Sequence, residues 1–586
     1  MAQSKDVTLA RKRALEHLTQ GMLATGVFLF IISGAINVLA LTGSFYMLQI
    51  YDRALTSGSI PTLAALSALA IALYLFQGGF DVIRSQVLVR LGARLDARIG
   101  PLAHSVAIDM PRFGFSVPES LERGRDVDTV RGFLAGQGPS AFFDLPWIPL
   151  YLAFIYLLHP WLGAMTFAGA FVLALLTLVS EVLTRNLNGA SRAAALHRNT
   201  IADSNARNAD VVKAMGFSGA AVRRFSLANA EHLELQTRTS DISGTFGAFS
   251  RVLRMLLQSA LLGLGAYLTI KGELSSGAII ACSVASARAL APVDTAIGNW
   301  KGFVGARAAF QRLRETVAAF ASASQPIDLP APAASLTVEK LTVAAPGSGH
   351  VILSDVSFEV RAGQAVGIIG PSAGGKTTLS RAITGIWPAL RGAIRLDGAE
   401  LSQWRPDMLG QQIGYMPQDV SLLDASVEEN IARLEAEPDA RKIVEATRAA
   451  GVHEMIVRLP DGYKTQLGAQ GLSLSAGQRQ RIGLARALYG NPFLVVLDEP
   501  NSNLDAEGDA ALQGAIESVR RRGGVAIVIA HRPSALAAVD LIGVVQAGKL
   551  VAFGPRDQIL AALNRPVAQT SVQQASDLGA SMRVPA

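Results

Sequence analysis

GIIGPSAGGKTTL, residues 367–379, sets an apolar β-branched run directly before a glycine-rich turn and a helix start. Gly370, Gly375, Lys376 and Thr377 fit G-x-x-x-x-G-K-[ST] in the strand–loop–helix context that the motif requires. The loop runs from Gly370 through Pro371, Ser372, Ala373 and Gly374 to Gly375, Lys376, Thr377 and Thr378. Such a loop wraps phosphate oxygens with backbone N–H groups, and the helix N-terminus adds its positive end. Lys376 is placed to reach the β- and γ-phosphates of a nucleotide, and the Thr377 hydroxyl to ligate Mg²⁺. A chance glycine-rich turn is the bland alternative, and the flanking strand and helix argue against it.

Downstream, LVVLDEP buries four apolar residues and delivers Asp498 and Glu499 at a strand end. Asp498 is placed to hold magnesium through water, and Glu499 to polarise the attacking water. Gln418, in IGYMPQD, could reach metal and water, and His531, ending VAIVIAH, could hydrogen-bond a γ-phosphate. Alone each reads as structural; beside a nucleotide, at strand ends, each reads as functional. The runs AVGIIG, AIRLDG, IGYMPQ, FLVVLDEP, VAIVIAH and LIGVVQAG alternate with helical stretches, which predicts an α/β P-loop domain with a largely parallel sheet.

Upstream the text changes character. The whole chain of 586 residues is 50% hydrophobic and 17% charged, with mean hydropathy +0.32, which excludes disorder and an ordinary soluble enzyme. A single cysteine, Cys282, excludes a disulfide framework or a cysteine-rich zinc site. Residues 1–330 carry 29 Lys/Arg against 21 Asp/Glu, while 331–586 carry 24 against 25. Membrane orientation explains a basic surplus confined to the oily half better than nucleic acid does, so no nucleic-acid partner is expected. Charge-free runs at His17–Tyr51, Ala54–Phe80 and Leu145–Ser180 exceed the ~20 residues that cross a bilayer. The third is long enough for two helices about LHPW, and weaker candidates lie at 250–271 and 274–296.

Six spans follow, with both ends of the chain on one side. Residues 81–140 hold eight arginines and 184–245 hold eight Lys/Arg, so these long connections and the second half are expected to be cytoplasmic. They read as helices continuing out of the bilayer as arms, with RFGFSVPESLERG and ADVVKAMGFSGAAVRRF at their tips. The expected division is a transmembrane domain over 1–320, an Ala/Ser/Pro-rich linker over 321–334, an α/β domain over 335–565 and a mobile tail over 566–586. Pro146, Pro149 and Pro292 are expected to bend their helices.

Ionisable residues inside spans are costly and are functional candidates by default. Arg254 lies 17 residues before Lys271 and Arg288 lies 15 after Glu273, about 26 and 22 Å along a helix. Asp144 and Asp294 fall near the same level. These four could line a polar translocation path; the alternative is that the arginines snorkel or pair with the aspartates.

LSAGQRQRIGLARAL, residues 474–488, just before LVVLDEP, completes a resemblance to the nucleotide-binding domain of ABC transporters. The resemblance implies ATP and Mg²⁺ as cofactors, and ATP hydrolysis. It implies that Ser475, Gly477 and Gln478 of one subunit meet the ATP held by the P-loop of the other. Asp505, in SNLD, would then couple the two sites of a homodimer. Two positions depart from the family pattern. Ala345, in LTVAAPG, stands where an adenine-stacking aromatic is usual, so base selectivity is expected to be weak. TQLGAQG, with Ala469 and Gln470, replaces an acidic TEVGERG-like segment.

FYMLQIYDRAL, FFDLPWIPLY, NADVVKAMG and RALAPVDTAIGNWKGF are similar to the type I secretion ATPases, in the branch that exports proteases and RTX proteins. The likeness covers nearly the whole chain and implies a fold of the ABC exporter type, six α-helical spans followed by the α/β domain. It further implies a homodimer in the bacterial inner membrane, in contact with lipid, a periplasmic adaptor (membrane fusion) protein and an outer-membrane channel. The implied substrate is an unfolded protein carrying a C-terminal signal, with RTX proteins the type that the resemblance suggests. Export of a lipid or small amphiphile is the alternative substrate class, and an ATP-gated channel or regulator the alternative function class.

Overall fold

The computed structural model describes residues 21–320, 328–468, 474–502, 504–530 and 533–563. His531, Ala469, Gln470, residues 321–327 of the expected linker and the tail lie outside these residues. The chain divides into two compact units, one within Met1–Pro111 and Phe115–Ala323, the other within Arg112–Gly114 and Ser324–Ala586.

The first unit is helical, and among the described residues six helices are long and apolar enough to cross a membrane. The first span is built from α1 (Met22–Ala40) and α2 (Thr42–Gln49), closed by a π-turn at Ile50–Ala54. The second is α3 (Ile60–Asp109), followed by α4 (Val117–Ala135). The third joins α5 (Gly138–Asp144) to α6 (Ile148–Leu158), and the last three are α7 (Pro160–Arg207), α8 (Ser218–Ile270) and α9 (Ser276–Phe320). With 53 residues, α8 is about 80 Å long at ~1.5 Å per residue, far beyond ~30 Å of hydrocarbon.

Local chemistry starts these helices where they start. Ser59 caps α3 by accepting from the Thr62 N–H, and a Ser116/Glu119 capping box opens α4. His159 breaks α6 from α7, with Pro160 pre-set for the new helix. Pro146 and Pro149 act differently from expectation: Pro146 sits in a 3₁₀ turn at Leu145–Trp147 and Pro149 in the first turn of α6, so both mark a break rather than a bend. Pro292 does lie inside α9, and Pro101 likewise inside α3.

Apolar side chains face outward over much of this unit; only 6% of the second span's apolar window is buried, as suits a lipid solvent. Inside, Ile155, Leu162, Leu173, Leu257 and Leu261 form a buried apolar cluster, and small residues let helices approach closely. Gly34 lies under the Trp147 ring, which a β-carbon there would strike. Beside it runs a buried polar network. Arg84 donates to Asp144 at 2.8 Å and to Ser33 at 3.2 Å, Asn37 donates to the same Asp144 oxygen, and Tyr151 donates to Asn37. Asp52, in the π-turn, accepts from the Ser275 hydroxyl at 2.6 Å and the Gly277 N–H at 3.0 Å, capping α9 from another span. Away from the spans, Asp126 of α4 is buried among Arg123, Arg192 of α7 and Arg312 of α9.

In the second unit, two sheets sandwich a core. An antiparallel sheet has the order β2-β1-β4-β5, from β1 (Ser335–Ala344), β2 (Val351–Arg361), β4 (Arg391–Leu396) and β5 (Ala399–Glu400). The six-stranded sheet has the order β10-β9-β3-β8-β7-β6 and is parallel except at β10. Its strands are β3 (Ala365–Ile369), β6 (Ile413–Met416), β7 (Leu494–Asp498), β8 (Val525–Ile529), β9 (Leu541–Gln546) and β10 (Lys549–Pro555). The parallel centre matches expectation, but AIRLDG belongs to the antiparallel sheet, where β4 pairs β1. Alternation explains why both faces of β7 are apolar. Leu494 and Val496 enter the core toward the antiparallel sheet, while Val495 and Leu497 enter the other.

Candidate functional site

Parallel strands β3, β6 and β7 bring their C-terminal ends to one edge, the crevice where α/β sheets bind ligands. The P-loop leaves β3 there and feeds α10 (Lys376–Ile383), whose N-cap Gly375 has φ +103°. Gly370, at φ +150°, presses against the Val545 carbonyl so closely that a β-carbon would collide with it. Non-glycine Ala373 is also left-handed, at φ 60°, a strain concentrated at the loop's apex. Lys376 is buried, its Nζ donating to the carbonyls of Gly370 at 2.9 Å and Pro371 at 2.8 Å. Burial lowers the pKa of its ammonium, against the opposing pull of Glu499 and Asp498.

At the end of β7, Asp498 is fully buried and accepts from Ser380 of α10 at 3.1 Å through Oδ2. Its Oδ1 is buried with no hydrogen-bond partner. Burial raises the pKa of this carboxyl, with the hydroxyls of Ser380 and Thr377 opposing. Glu499 follows at φ 49°, a left-handed conformation rare for a residue with a side chain, and its N–H donates to the Ile529 carbonyl. Gln418, just beyond β6, donates from Nε2 to the Glu499 carboxylate at 3.0 Å. Three segments distant in sequence, the start of α10, the end of β7 and the turn after β6, thus place Lys376, Thr377, Asp498, Glu499 and Gln418 together. No cluster of three or more His, Cys, Asp or Glu ligands occurs among the described residues. The oxygen donors of Thr377, Gln418 and Asp498 suit magnesium, which takes few protein oxygens and completes its shell with phosphate and water. The partnerless Asp498 oxygen fits that ion.

The remaining predicted residues form a second group. Ser475 caps α11 (Ala476–Leu488), accepting from the Gln478 N–H while the Gln478 side chain accepts from the Ser475 N–H. Gly477 lies in the first turn. Asp505 caps α12 (Ala506–Arg521), accepting from Gly508 N–H at 2.9 Å and Arg481 at 2.6 Å. The Gly508 hydrogen bond, then Arg481, holds its carboxyl below the usual range. Ser475 and Asp505 are exposed, Gly477 and Gln478 half-buried, and the N-terminus of α11 favours anions. Ala345 follows β1 in the hairpin to β2, its N–H bonded to the His350 carbonyl.

Sequence reasoning missed Gln480. It sits in the same polar run as Gln478 but is buried, donating to the Glu499 carbonyl at 3.2 Å and Ser502 at 3.1 Å. Only burial separates the two glutamines, and no local signal carries it.

Within the helical unit, α7, α8 and α9 enclose a cavity of about 1070 Å³. Arg254 and Asp294 line it and form an ion pair across α8 and α9. Asp144 lies elsewhere, in the Arg84 network, and Arg288 is not among the lining residues.

Family models match both units: ABC transporter transmembrane region over residues 23–293 and ABC transporter over 353–502. The chain is 50% identical over 567 residues to the type I secretion system ATP-binding protein PrsD of Rhizobium meliloti (strain 1021), covering 97% of each. It is 28% identical over 536 residues to the toxin RTX-I translocation ATP-binding protein of Actinobacillus pleuropneumoniae, covering 91% of this chain and 76% of that one. Among solved structures, a bacterial Atm1-family ABC exporter with ATP bound shares the fold, with a TM-score of 0.78 at 22% identity over 97% of this chain and 100% of that one. With such a relative along nearly its whole length, a P-loop domain and six candidate spans, the chain belongs to the ABC transporter family, among its type I secretion ATP-binding proteins.

Proposed function

We propose that the protein is the ATP-driven motor of a type I secretion system and moves an unfolded polypeptide out of the cytoplasm. The observation that supports this reading most is a complete hydrolytic set, Lys376, Thr377, Asp498, Glu499 and Gln418, at one sheet edge of a chain that also carries six candidate spans. In the reaction, Glu499 accepts a proton from water as that water attacks the γ-phosphorus and the bond to the β–γ bridging oxygen breaks. Lys376 and the P-loop N–H groups hold the β- and γ-phosphates, from Gly370 to Thr378. Thr377, Gln418 and Asp498 would hold magnesium, which when bound neutralises charge on the phosphate oxygens. Gln480 fixes the Glu499 backbone. Gln480→Leu is expected to lower kcat roughly tenfold with little change in KM for ATP, read by steady-state hydrolysis; an unchanged kcat would contradict that positioning role.

Ser475, Gly477 and Gln478 act in trans in this reading, so the working unit is a homodimer, with Asp505 at the junction of its two sites. His531 is assigned to the γ-phosphate on its motif alone. The division at 321–334 rests on its Ala/Ser/Pro-rich composition, the cytoplasmic orientation of the N-terminus and nucleotide domain on the basic long connections, and residence in the bacterial inner membrane on the likeness to type I secretion ATPases. The relatives' secretion and toxin-translocation names support a protein substrate; a periplasmic adaptor and an outer-membrane channel are assigned from the likeness to type I secretion ATPases. Arg254 and Asp294 are assigned to the translocation path.

Purified protein in lipid nanodiscs separates the substrate classes. An unfolded exported polypeptide is expected to change the ATPase rate, while lipids and small amphiphiles leave it unaltered. A response to amphiphiles alone would shift the assignment to their export.

A further inference from the structure

The cavity between α7, α8 and α9 is unbalanced in charge. Arg185, Arg192, Arg251, Arg254, Lys301 and Arg312 line it, against Glu181 and Asp294. Arg254 is paired with Asp294, and Arg192 and Arg312 share Asp126. Glu181 accepts from the Trp300 indole at 2.5 Å. Arg185, Arg251 and Lys301 remain, with no ion-pair or hydrogen-bond partner among the described residues. A run of cations on a helix is ordinarily a solvated face, but these three come from three different helices and meet at one concavity.

Along their helices they lie within about 10 Å of one another in depth. Arg185 lies 25 residues into α7 and Lys301 25 into α9, while Arg251 lies 19 from the end of α8. At ~1.5 Å per residue these are about 28–38 Å from the opposite ends of the spans, at the edge of ~30 Å of hydrocarbon. Cations there focus anions into the concavity. Between them the walls offer Thr177, Ser180, Thr184, Asn188, Gln236 and Ser243. The hydroxyl and amide groups serve the N–H and C=O groups of an extended peptide, while Leu176, Phe246, Ile297, Trp300 and Val304 of the same lining pack against its apolar side chains. The volume stands at the upper end of the ~300–1,000 Å³ typical of small-molecule pockets, enough for a segment several residues long.

We propose that this cavity receives a carboxylate-rich stretch of the exported polypeptide, with Arg185, Arg251 and Lys301 as its charge contacts. The proposal rests on the polypeptide-export reading and adds to it a chemical preference: segments rich in Asp and Glu dwell here, and their amide counterparts do not.

The test uses the full chain in zwitterionic nanodiscs and two fluorescent, unstructured peptides of equal length, one Asp/Glu-rich and one with Asn/Gln at the same positions. Fluorescence anisotropy is expected to show the acidic peptide bound roughly ten- to hundredfold more tightly. The gap is expected to shrink as ionic strength rises from about 0.05 M to about 0.5 M. It is expected to vanish in the triple variant Arg185→Gln/Arg251→Gln/Lys301→Gln and to persist in Arg185→Lys/Arg251→Lys, which keeps the charge. Equal affinity for both peptides in the parent chain, or a gap that survives the neutral triple variant, overturns the proposal. Complete displacement of the acidic peptide by phosphatidylglycerol added to the nanodiscs overturns it in favour of a lipid-headgroup site. Either failure, with polypeptide secretion intact in cells, removes the cavity preference alone; loss of any link to secreted polypeptides removes the export reading itself.

Discussion

Glu499→Gln is expected to leave ATP binding intact and to slow hydrolysis by about 10²–10⁴-fold, the range a positioned general base contributes. The substitution is nearly isosteric, so the left-handed turn at φ 49° and the contact from Gln418 can both be kept. What it removes is the ability to take a proton from water. Lys376 and the P-loop are untouched, so nucleotide affinity holds. Fluorescent-ATP binding and phosphate release, measured on the same preparation, separate the two effects. Hydrolysis at the parent rate would reassign the base; loss of binding would mean the turn itself had been disturbed.

A second large effect lies far from the nucleotide. Asp126 is 1% exposed and is the shared acceptor of Arg123, Arg192 and Arg312, which tie α4 to α7 and α9. Breaking a fully buried ion pair costs about 3–5 kcal/mol; here Arg192 keeps Glu122 and is 42% exposed and Arg312 is 27% exposed, so solvent reduces the cost below that range. Asp126→Ala is therefore expected to lower the thermal unfolding midpoint of the solubilised chain by several degrees or more. Asp126→Asn, which keeps shape and some hydrogen bonding, should fall between it and the parent. An unchanged midpoint in both would show that water, not Asp126, solvates these arginines.

The parts of this molecule that were legible in the sequence are those whose chemistry is local. The P-loop is a contiguous strand, turn and helix, and each glycine answers a neighbouring backbone requirement. The apolar lengths of the spans are equally local. Partner choice is not. AIRLDG has the composition of a central strand, yet β4 pairs antiparallel with β1, whose residues lie some fifty positions earlier. Arg84 reads as one of many loop arginines because the charge-free run stops at Phe80, but α3 continues unbroken and carries it to Asp144, 60 residues later. Of the four intramembrane charges singled out in the sequence, the fold sets Arg254 against Asp294 and gives Asp144 a different partner. Gln480 shows the same limit at the site: its neighbours Gln478, Arg479 and Arg481 are polar and half-buried, and its own full burial against the Glu499 loop exists only once α11 is packed.

The most direct test of polypeptide export is a comparison, by mass spectrometry, of proteins in the medium of cells expressing the intact chain or Glu499→Gln. The account predicts that one or a few proteins with intact C-termini disappear from the medium of the variant and accumulate inside the cells. An unchanged set of secreted proteins, with pump and cargo both expressed, would contradict it.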